Sequence, residues 1–473
     1  MIKSERGSVT VFTLSACLLM SFILVGIFMG SQNKVINQKK QLKSIENSYK
    51  ENSDNEKMAQ LYEEAMKNDP SNIEADLKIT TAEELKEFAN QVNGGNTFEG
   101  KRVVLMNDID LSSVCSSTIG SWTPIGNSTT NSFNGTFNGR KYTISNIYMA
   151  NTDNVQALFG VNKGTIKNLI VSEGTIKGVP LYSSGMVSRN YGTIESCRSE
   201  NLTITCENTS TSEANIGGIV ARNESGSTIR ESVSVSNIIT NKAKGHTGGI
   251  AGLNAGRIEN SHNTSVVTNT NTSGNGTGGI VGWGSGTVSK CYNEGNIEGK
   301  DNVGGIVGNT NNTGNVELSY NKAEVVNSDT TASSGENAAG IIGWNRGNVS
   351  NCYNIGKITN KNTNSNIYTG GLIGLNSGPI KNSYNIGEIV PSGGKIGAII
   401  GRNYSTMTNC YAIKEILKNG VSYEEGTTTS TEHVIESATL KTYTSKLNED
   451  GANTYWSDDK NIINNGYPIL SWK

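Results

Sequence analysis

Two tryptophans at one position of a repeated pattern are the residues best suited to bind a ligand. Other copies of the pattern carry different side chains at that position: Arg189, Arg222, Asn309 and Arg402. A position that accepts such varied side chains is typical of a solvent-facing surface. Exposed indole rings offer broad flat surfaces that stack on sugar rings. We therefore expect Trp283 and Trp344 to be candidate ligand-binding residues, the alternative being two ordinary surface aromatics.

Residues that support nucleophilic or metal chemistry are present but are not spaced for it. The chain has seven Cys and no CxxC pair, and its three His (His246, His262 and His433) match no triad or zinc motif. Asp108 and Asp110 could bind calcium, but so sparse a pair favours a role in a turn. No column of Asp, Lys or Arg recurs through successive repeats. We expect no catalytic residue, no metal site and no cofactor, with a polysaccharide-active enzyme as an alternative.

Four cysteines share one repeat position with serines. The cysteines are Cys197, Cys291, Cys352 and Cys410, and the serines are Ser232, Ser261, Ser319 and Ser383. If each repeat forms one turn, alternate turns lie about 10 Å apart, whereas a disulfide needs Cα atoms within about 7 Å. We expect free thiols at these positions. Cys197 and Cys206 lie nine residues apart within one repeat, and whether they pair stays open.

Two further columns of identical residues run through the repeats. Tyrosine recurs at Tyr292, Tyr320, Tyr353, Tyr384 and Tyr411. Asparagine recurs at Asn263, Asn293, Asn321, Asn354 and Asn385. We expect both columns to be structural ladders, because stacked rings and stacked amides contact their copies along the axis. Strand alternation puts each Tyr on the side of the preceding Ile, whereas a bend at the intervening residue would reverse it.

These columns exist because the chain repeats itself. Residues 248–263 read GGIAGLNAGRIENSHN, and residues 370–385 read GGLIGLNSGPIKNSYN. About nine copies recur at intervals of roughly 26 to 35 residues, which is a solenoid period. Each copy has two short β-type runs separated by an Asn-x-Gly turn. The pattern predicts an all-β parallel β-solenoid (a β-helix), since stacked copies bury an aliphatic strip that one copy cannot.

The repeat resembles the GLUG family over residues 157–414. Residues 155–169 look like an opening unit of such arrays, and residues 465–472 (NGYPILSW) resemble their usual C-terminal closure. The resemblance implies a bacterial cell-surface protein, often adhesin-like. GLUG repeats also accompany zinc peptidases of the immunoglobulin A protease type. No HExxH sequence occurs here, so that activity does not carry over.

The residues before the repeats predict an anchor and a stalk. Residues 8–30 are 23 consecutive uncharged positions, enough for a helix that spans a bilayer. The start at residues 5–12 resembles TadE-like pilus-assembly proteins, although Phe12 stands where prepilins usually carry Glu. The predicted organisation is a transmembrane anchor (1–31), a helical stalk (32–72), an N-terminal cap with irregular turns (73–150), the solenoid (151–414) and a C-terminal cap (415–473).

Composition limits the classes of partner. The net charge is −2, and no basic patch indicates nucleic-acid binding. The sequence therefore favours a single-pass membrane protein whose extracytoplasmic solenoid binds glycans or cell-surface proteins without catalysis. A structural component of a pilus or envelope assembly, with pilus-assembly proteins as partners, is the alternative.

Overall fold

The computed structural model describes residues 74–150, 153–207, 213–271, 276–331, 336–416, 433–449 and 451–472. The predicted anchor at residues 8–30 and the stalk at residues 32–72 lie outside these ranges. Within the ranges, no helix is both long and apolar enough to cross a bilayer. That finding contradicts the expected localisation, a single-pass membrane protein with an extracytoplasmic domain, and the expectation is withdrawn.

The described chain folds as a parallel β-solenoid, which confirms the predicted fold class. Two of its sheets, here called the first wall and the second wall, contain one strand from each repeat. The first-wall strands are Val155–Gln156, Tyr182–Ser184, Ala214–Gly217, Gly245–Gly248, Gly276–Gly278, Val303–Gly304, Ala338–Ala339, Tyr368–Gly370 and Lys395–Gly397. The second-wall strands are Phe159–Asn162, Val187–Asn190, Val220–Asn223, Ala251–Asn254, Val281–Gly284, Val307–Thr310, Ile342–Asn345, Ile373–Asn376 and Ile400–Asn403.

The remaining strands of the solenoid form a third sheet, here called the long face. They are Leu77–Ile79, Arg102–Leu105, Ile109–Asp110, Thr136–Asn138, Thr143–Met149, Thr165–Lys167, Ile170–Gly178, Thr193–Glu195, Arg198–Cys206, Thr228–Arg230, Val233–Val235, Ile238–Asn241, Arg257–Glu259, His262–Asn263, Val266–Asn269, Thr287–Ser289, Tyr292–Asn293, Ile297–Gly299, Asn315–Glu317, Tyr320–Asn321, Val325–Asn327, Asn348–Ser350, Tyr353–Asn354, Ile358–Asn360, Ile380–Asn385, Ile389–Pro391, Met407–Ile413 and Val434–Ile435. Equivalent residues of neighbouring repeats are Cα partners in parallel register, as Tyr292 is with Tyr320.

The solenoid has about 11 turns, two more than the nine repeats predicted. The additional turns precede the first repeat, where Leu77–Ile79, Arg102–Leu105 and Thr136–Asn138 pair in sequence on the long face. Within the described residues these turns add no strand to either wall. Among the described residues this part of the chain joins the second wall through single bridges, Ile125 to Phe159 and Phe133 to Asn162, rather than through a strand.

A helix covers the start of the solenoid. Helix α1 (Ala82–Asn93) begins at Thr81, whose hydroxyl accepts the N–H of Glu84, while the Glu84 carboxylate accepts the N–H of Thr81. This arrangement is a capping box, which satisfies N–H groups that have no partner within the helix. Phe88 packs against Phe133 and Phe137, with ring centroids 5.7 and 5.9 Å away. The helix thereby shields the apolar interior at this end.

A left-handed residue in each repeat decides which side chains face inward on the long face. Ile258 and Ser261 are buried in the interior, and Asn260 between them has φ of 48°. This bend resets the strand alternation, so Ser261 faces the interior. His262, the residue after Ser261, therefore lies on the outside. The same conformation recurs at Asn168, Ser196, Glu231, Lys290, Leu318, Asn351, Asn382 and Asn409. The column that contains the tyrosines is therefore outward-facing.

The C-terminal segment folds back over the long face. This segment, here called the clasp (residues 433–472), contains helices α2 (Ser437–Leu440) and α3 (Thr444–Leu447) and an antiparallel strand pair, Trp456–Ser457 with Ile469–Leu470. Two short 3₁₀ helices, Leu111–Ser113 and Lys414–Ile416, lie elsewhere in the chain. The clasp buries rings of the tyrosine column that would otherwise face water.

Candidate functional site

The two walls of the solenoid meet at a concave corner. A Cβ atom on Gly252, in the second wall, would lie 2.5 Å from the backbone nitrogen of Ile216, in the first wall of the preceding turn. A Cβ atom on Gly282 would lie 2.4 Å from the nitrogen of Thr247 in the same way. No side chain fits at these distances, so glycine lets the walls fold closely together. The corner where their outer surfaces meet is here called the groove, and several of the side chains along it, including Asn215 and His246, are almost completely buried.

Two columns of side chains line this groove. The first-wall column contains Tyr182, Asn215, His246, Gly276, Asn302, Asn337 and Tyr368. The second-wall column contains Arg189, Arg222, Leu253, Trp283, Asn309, Trp344, Leu375 and Arg402. Each column varies in residue type from turn to turn, in contrast to the uniform columns of the long face.

Aromatic side chains contact residues across the groove at three places. The Arg189 guanidinium lies 5.5 Å from the ring centroid of Tyr182. The rings of His246 and Trp283 lie 5.9 Å apart with an angle of 30° between their planes. Arg402 donates to the hydroxyl of Tyr368 at 3.0 Å. These pairs bring aromatic surface and hydrogen-bonding groups into one continuous groove.

Both predicted ligand-binding tryptophans lie in this groove and are half-buried. They belong to one column and lie two turns apart, with Asn309 as the register partner of each. The Arg346 guanidinium lies 4.4 Å from the Trp344 ring centroid and also donates to Oδ1 of Asn309 at 3.0 Å. Each ring is therefore partly covered by a neighbour, at a position whose varied residues predicted a solvent-facing site.

The guanidinium groups of Arg189 and Arg222, both in the groove, share one carboxylate. The Glu224 carboxylate is 2.7 Å from the Arg189 guanidinium and 3.0 Å from that of Arg222. The ring of Tyr191 also lies against Arg189, at 5.2 Å. This cluster engages two of the three arginines of the second-wall column, Arg189 and Arg222, in ion pairs within the protein.

Two neighbouring groove residues carry buried polar atoms that have no hydrogen-bond partner. The two atoms are Oδ1 of Asn215 and Nδ1 of His246. The exposed fraction is 4% for Asn215 and 5% for His246. Burial, with the nearby cations Arg222 and Lys244, lowers the pKa of His246 to about 4, so the imidazole is neutral at neutral pH. No role for His246 could be predicted from the sequence, because its column has no repeated residue type.

The tyrosine column forms the predicted ladder over most of its length. Ring centroids of Tyr292, Tyr320, Tyr353 and Tyr384 follow one another at 4.8 to 5.2 Å with nearly parallel planes, and His262 extends the stack. Tyr411 instead meets Tyr443 of the clasp edge-on at 4.8 Å. Trp472 lies against Tyr320, and Trp456 against Tyr353 and Tyr384. The ladder is therefore packed beneath the clasp.

The asparagine column forms a continuous hydrogen-bonded ladder inside the solenoid. Each Nδ2 donates to Oδ1 of the next residue at 2.8 to 2.9 Å, in the order Asn263, Asn293, Asn321, Asn354 and Asn385. A second ladder, which the sequence analysis missed, joins Asn162, Asn190, Asn223 and Asn254 and then Thr310, Asn345, Asn376 and Asn403. Its sequence signal was the Asn of the Asn-x-Gly turn.

All six cysteines of the described chain are buried free thiols, including Cys197 and Cys206. Burial raises the pKa of Cys197, Cys291, Cys352 and Cys410 to about 12. In the same column, serine hydroxyls accept N–H groups of the preceding turn, as Ser319 does from Cys291. The column is therefore a packing position, and the prediction of free thiols is confirmed there. Cys17 lies outside the described residues.

Buried carboxyl groups near the first wall were also missed from the sequence. Burial and the nearby carboxylates Glu336 and Asp329 raise the pKa of Asp301 to about 7, and the pKa of Glu336 is also raised to about 7. Asp301 accepts from the backbone and the side-chain amide of Asn302 at 2.7 and 2.9 Å. No group of three His, Cys, Asp or Glu residues arranged to hold a metal ion occurs in the described chain.

Comparison with known proteins identifies no family for this chain. No family model matches it, and a comparison with curated proteins finds no match. Among solved structures, it is similar to one from Bacteroides ovatus that bears the name of an immunoglobulin A1 protease, with 17% identity and a TM-score of 0.33, over 84% of this chain and 92% of that one. A second, named IgA1 protease, has 16% identity and a TM-score of 0.31, over 71% of this chain and 21% of that one.

Likeness at these TM-scores carries no argument about what the groove binds. Both structures nevertheless bear the name of a protease. They thereby contradict the expectation that the chain is not an enzyme, and that expectation is withdrawn.

Proposed function

We propose that this β-solenoid is an adhesin-like carbohydrate-binding protein that holds an extended glycan along the groove between its two walls. The observation that carries the proposal is the placement of Trp283 and Trp344 in one column of that groove. Two turns separate them, which is about 10 Å at the spacing of neighbouring strands. This distance suits two sugar rings that are separated by one intervening unit of a single extended chain.

The chemistry around the tryptophans suits a hydroxyl-rich ligand. Trp283 is flanked across the groove by His246, and Trp344 by Arg346, so each indole adjoins a polar side chain. Aromatic surface beside directional hydrogen-bonding groups is the usual composition of a small-molecule site. A groove that runs over several turns also allows many weak contacts to add along one polymer.

The test is a glycan-binding measurement on the full chain and on the double variant Trp283→Ala/Trp344→Ala. We expect the variant to lose at least tenfold in affinity for the glycans that the unaltered chain binds, since each lost ring contact costs about 1 kcal/mol or more. The matched control is Tyr455→Ala/Ile463→Ala, which removes two exposed apolar side chains of the clasp, away from the groove.

Circular dichroism and thermal unfolding establish that the variants fold. Binding that survives unchanged in Trp283→Ala/Trp344→Ala would refute the proposal. Equal losses in the groove variant and the clasp control would also refute it, because the binding would then depend on general surface hydrophobicity.

A further inference from the structure

We propose that Asn215 and His246 form a hydrogen-bonding subsite for two adjacent hydroxyl groups of a neutral sugar ring. The subsite lies in the groove beside the indole ring of Trp283. This inference rests on the proposed function, and it adds a ligand class and a location within the groove. The subsite lies on two successive turns, and its aromatic surface comes from the turn that follows.

The two residues are placed to act together. Asn215 and His246 are Cα partners in neighbouring first-wall strands, which puts their backbones about 4.8 Å apart. Their side chains project into the groove from the same column, and the ring of Trp283 lies 5.9 Å from that of His246. In the proposed subsite a sugar ring lies against Trp283 beside His246, and Asn215 is one turn before His246 in the same column.

Their unsatisfied atoms define the ligand chemistry. Oδ1 of Asn215 only accepts a hydrogen bond, whereas Nδ1 of a neutral His246 donates or accepts according to its tautomer. A hydroxyl group both donates and accepts, so two adjacent hydroxyls satisfy either tautomer. Buried polar atoms without partners are unfavourable in the ligand-free protein. A ligand that supplies the missing hydrogen bonds removes that cost.

The surrounding charges favour a neutral sugar over an acidic one. Arg222 is engaged by Glu224 at 3.0 Å. Glu213 lies 4.0 Å from Nε2 of His246, and Lys244 lies 3.7 Å from Glu213. Each cation near the subsite thus has an anionic neighbour within the protein, so a carboxylate or sulfate on the ligand would meet no uncommitted positive charge.

A trapped water molecule is the simpler occupant of such a position. Buried waters typically make about three hydrogen bonds to polar groups that would otherwise be unsatisfied. A structural water would stabilise the free protein through Asn215 and His246 and would have no effect on ligand selectivity. Stability and affinity must therefore be measured on the same variants.

The experiment uses the full chain with Asn215→Leu and His246→Phe, which keep side-chain size while removing Oδ1 and Nδ1. Hexasaccharides of glucose, mannose and galactose, and a hexauronic acid, serve as calorimetric probes. We expect one or more neutral hexasaccharides to bind, each variant to weaken that binding about fivefold or more, and the uronic acid to bind more weakly.

Asn302→Leu is the matched stability control, because Asn302 is equally buried in the same column but is hydrogen-bonded. Its Oδ1 accepts from Asn337 at 2.6 Å, and its Nδ2 donates to Asp301 at 2.9 Å. We expect Asn302→Leu to lower the melting temperature and Asn215→Leu to leave it unchanged or raise it.

The outcomes separate this subsite from the proposed function. If Trp283→Ala/Trp344→Ala abolishes saccharide binding while Asn215→Leu and His246→Phe bind normally, the subsite is wrong and the groove proposal stands. If Asn215→Leu is destabilised as much as Asn302→Leu, a structural water explains the site and the subsite is again wrong. If the full chain binds no saccharide of any kind, both proposals fall together.

Discussion

The side-chain amide of Asn293 donates to Oδ1 of Asn321 at 2.8 Å across two successive turns of the solenoid. Both residues are completely buried, and each side-chain amide also donates to the backbone carbonyl oxygen two residues later, that of Gly295 or of Ala323. Such a ladder ties turns together in register, because an amide shifted by one residue would lose its partners above and below it. The ladder is thus a determinant of the geometry that aligns the groove columns.

Asn321→Ala should destabilise the solenoid by about 3 kcal/mol, because it leaves amide groups above and below without a partner. Chemical denaturation monitored by circular dichroism measures the loss. The control is Asn348→Ala, an exposed asparagine on the long face, which should change stability by about 0.5 kcal/mol or less. Equal effects from the two changes would contradict the structural role of the ladder.

Trp456→Ala should release the clasp before the solenoid unfolds. The indole packs against Tyr353 and Tyr384, and its Nε1 donates to Oδ1 of Asn351 at 3.1 Å. Removing a buried aromatic side chain costs about 3 to 5 kcal/mol. We expect limited proteolysis to cut the clasp of this variant while residues 74–416 resist cleavage.

The neighbouring change Tyr455→Ala is the control for the clasp, because Tyr455 is 43% exposed. It should leave the protease pattern unaltered. A Trp456→Ala protein that resists cleavage as well as the unaltered chain would show that ring packing on the ladder does not hold the clasp.

The thiols should be unreactive in the folded protein. With pKa values of about 12, Cys291 and Cys352 carry almost no thiolate at pH 8, and both side chains are fully buried. We expect iodoacetamide to leave all six described cysteines unmodified in the native state and to modify them in denaturant, as read by peptide mass spectrometry. A Cys291–Cys352 or Cys197–Cys206 bridge in non-reduced peptides would contradict the free-thiol assignment.

Acidic solution should favour the folded state through Asp301. Its folded pKa is about 7 and its ordinary value is 3.8, so the folded protein holds a proton that the unfolded chain releases between these limits. The contribution to stability is therefore greatest below pH 4 and is lost as the pH rises towards 7. Asp301→Asn should raise the melting temperature at pH 8 and have little effect at pH 4.

Asp76→Asn is the control, because the pKa of Asp76 is shifted in the direction opposite to that of Asp301. Hydrogen bonds from the Arg102 backbone and the Lys101 side chain lower the pKa of Asp76. The ionised form is therefore favoured in the folded state, and the stability that it contributes is lost as the pH falls through its lowered pKa. Asp76→Asn should lower the melting temperature at pH 8. Parallel responses of the two variants would contradict the assigned burial of Asp301.

The sequence predicted the repeat and one of its two asparagine ladders, and it missed contacts that join distant segments. The period, the capping box at Thr81 and Glu84 and the asparagine ladder follow from local signals or identical spacing. The side on which Tyr353 lies depended on the left-handed backbone at Asn351, which is not visible in a residue pattern because Ser196 and Leu318 adopt it too. The contact between Trp456 and Tyr353 joins segments about a hundred residues apart and has no periodic signal.

The contacts across the groove could not be predicted from the repeat spacing either. Trp283 and Trp344 could be found because they share a repeat position, but the opposite wall could not be inferred from spacing. Asn215 and His246 align with Tyr182 and Gly276, so no residue type marks their column. Their proximity to Trp283 follows from the sharp fold between the walls, which is a tertiary property.

The most direct test is a crystal structure of the full chain with a hexasaccharide that it binds. The account predicts sugar rings in the groove, with one ring against Trp283 within hydrogen-bonding distance of Asn215 and His246, and the chain extending towards Trp344. A saccharide bound on the long face, on the clasp or elsewhere outside the groove would contradict it.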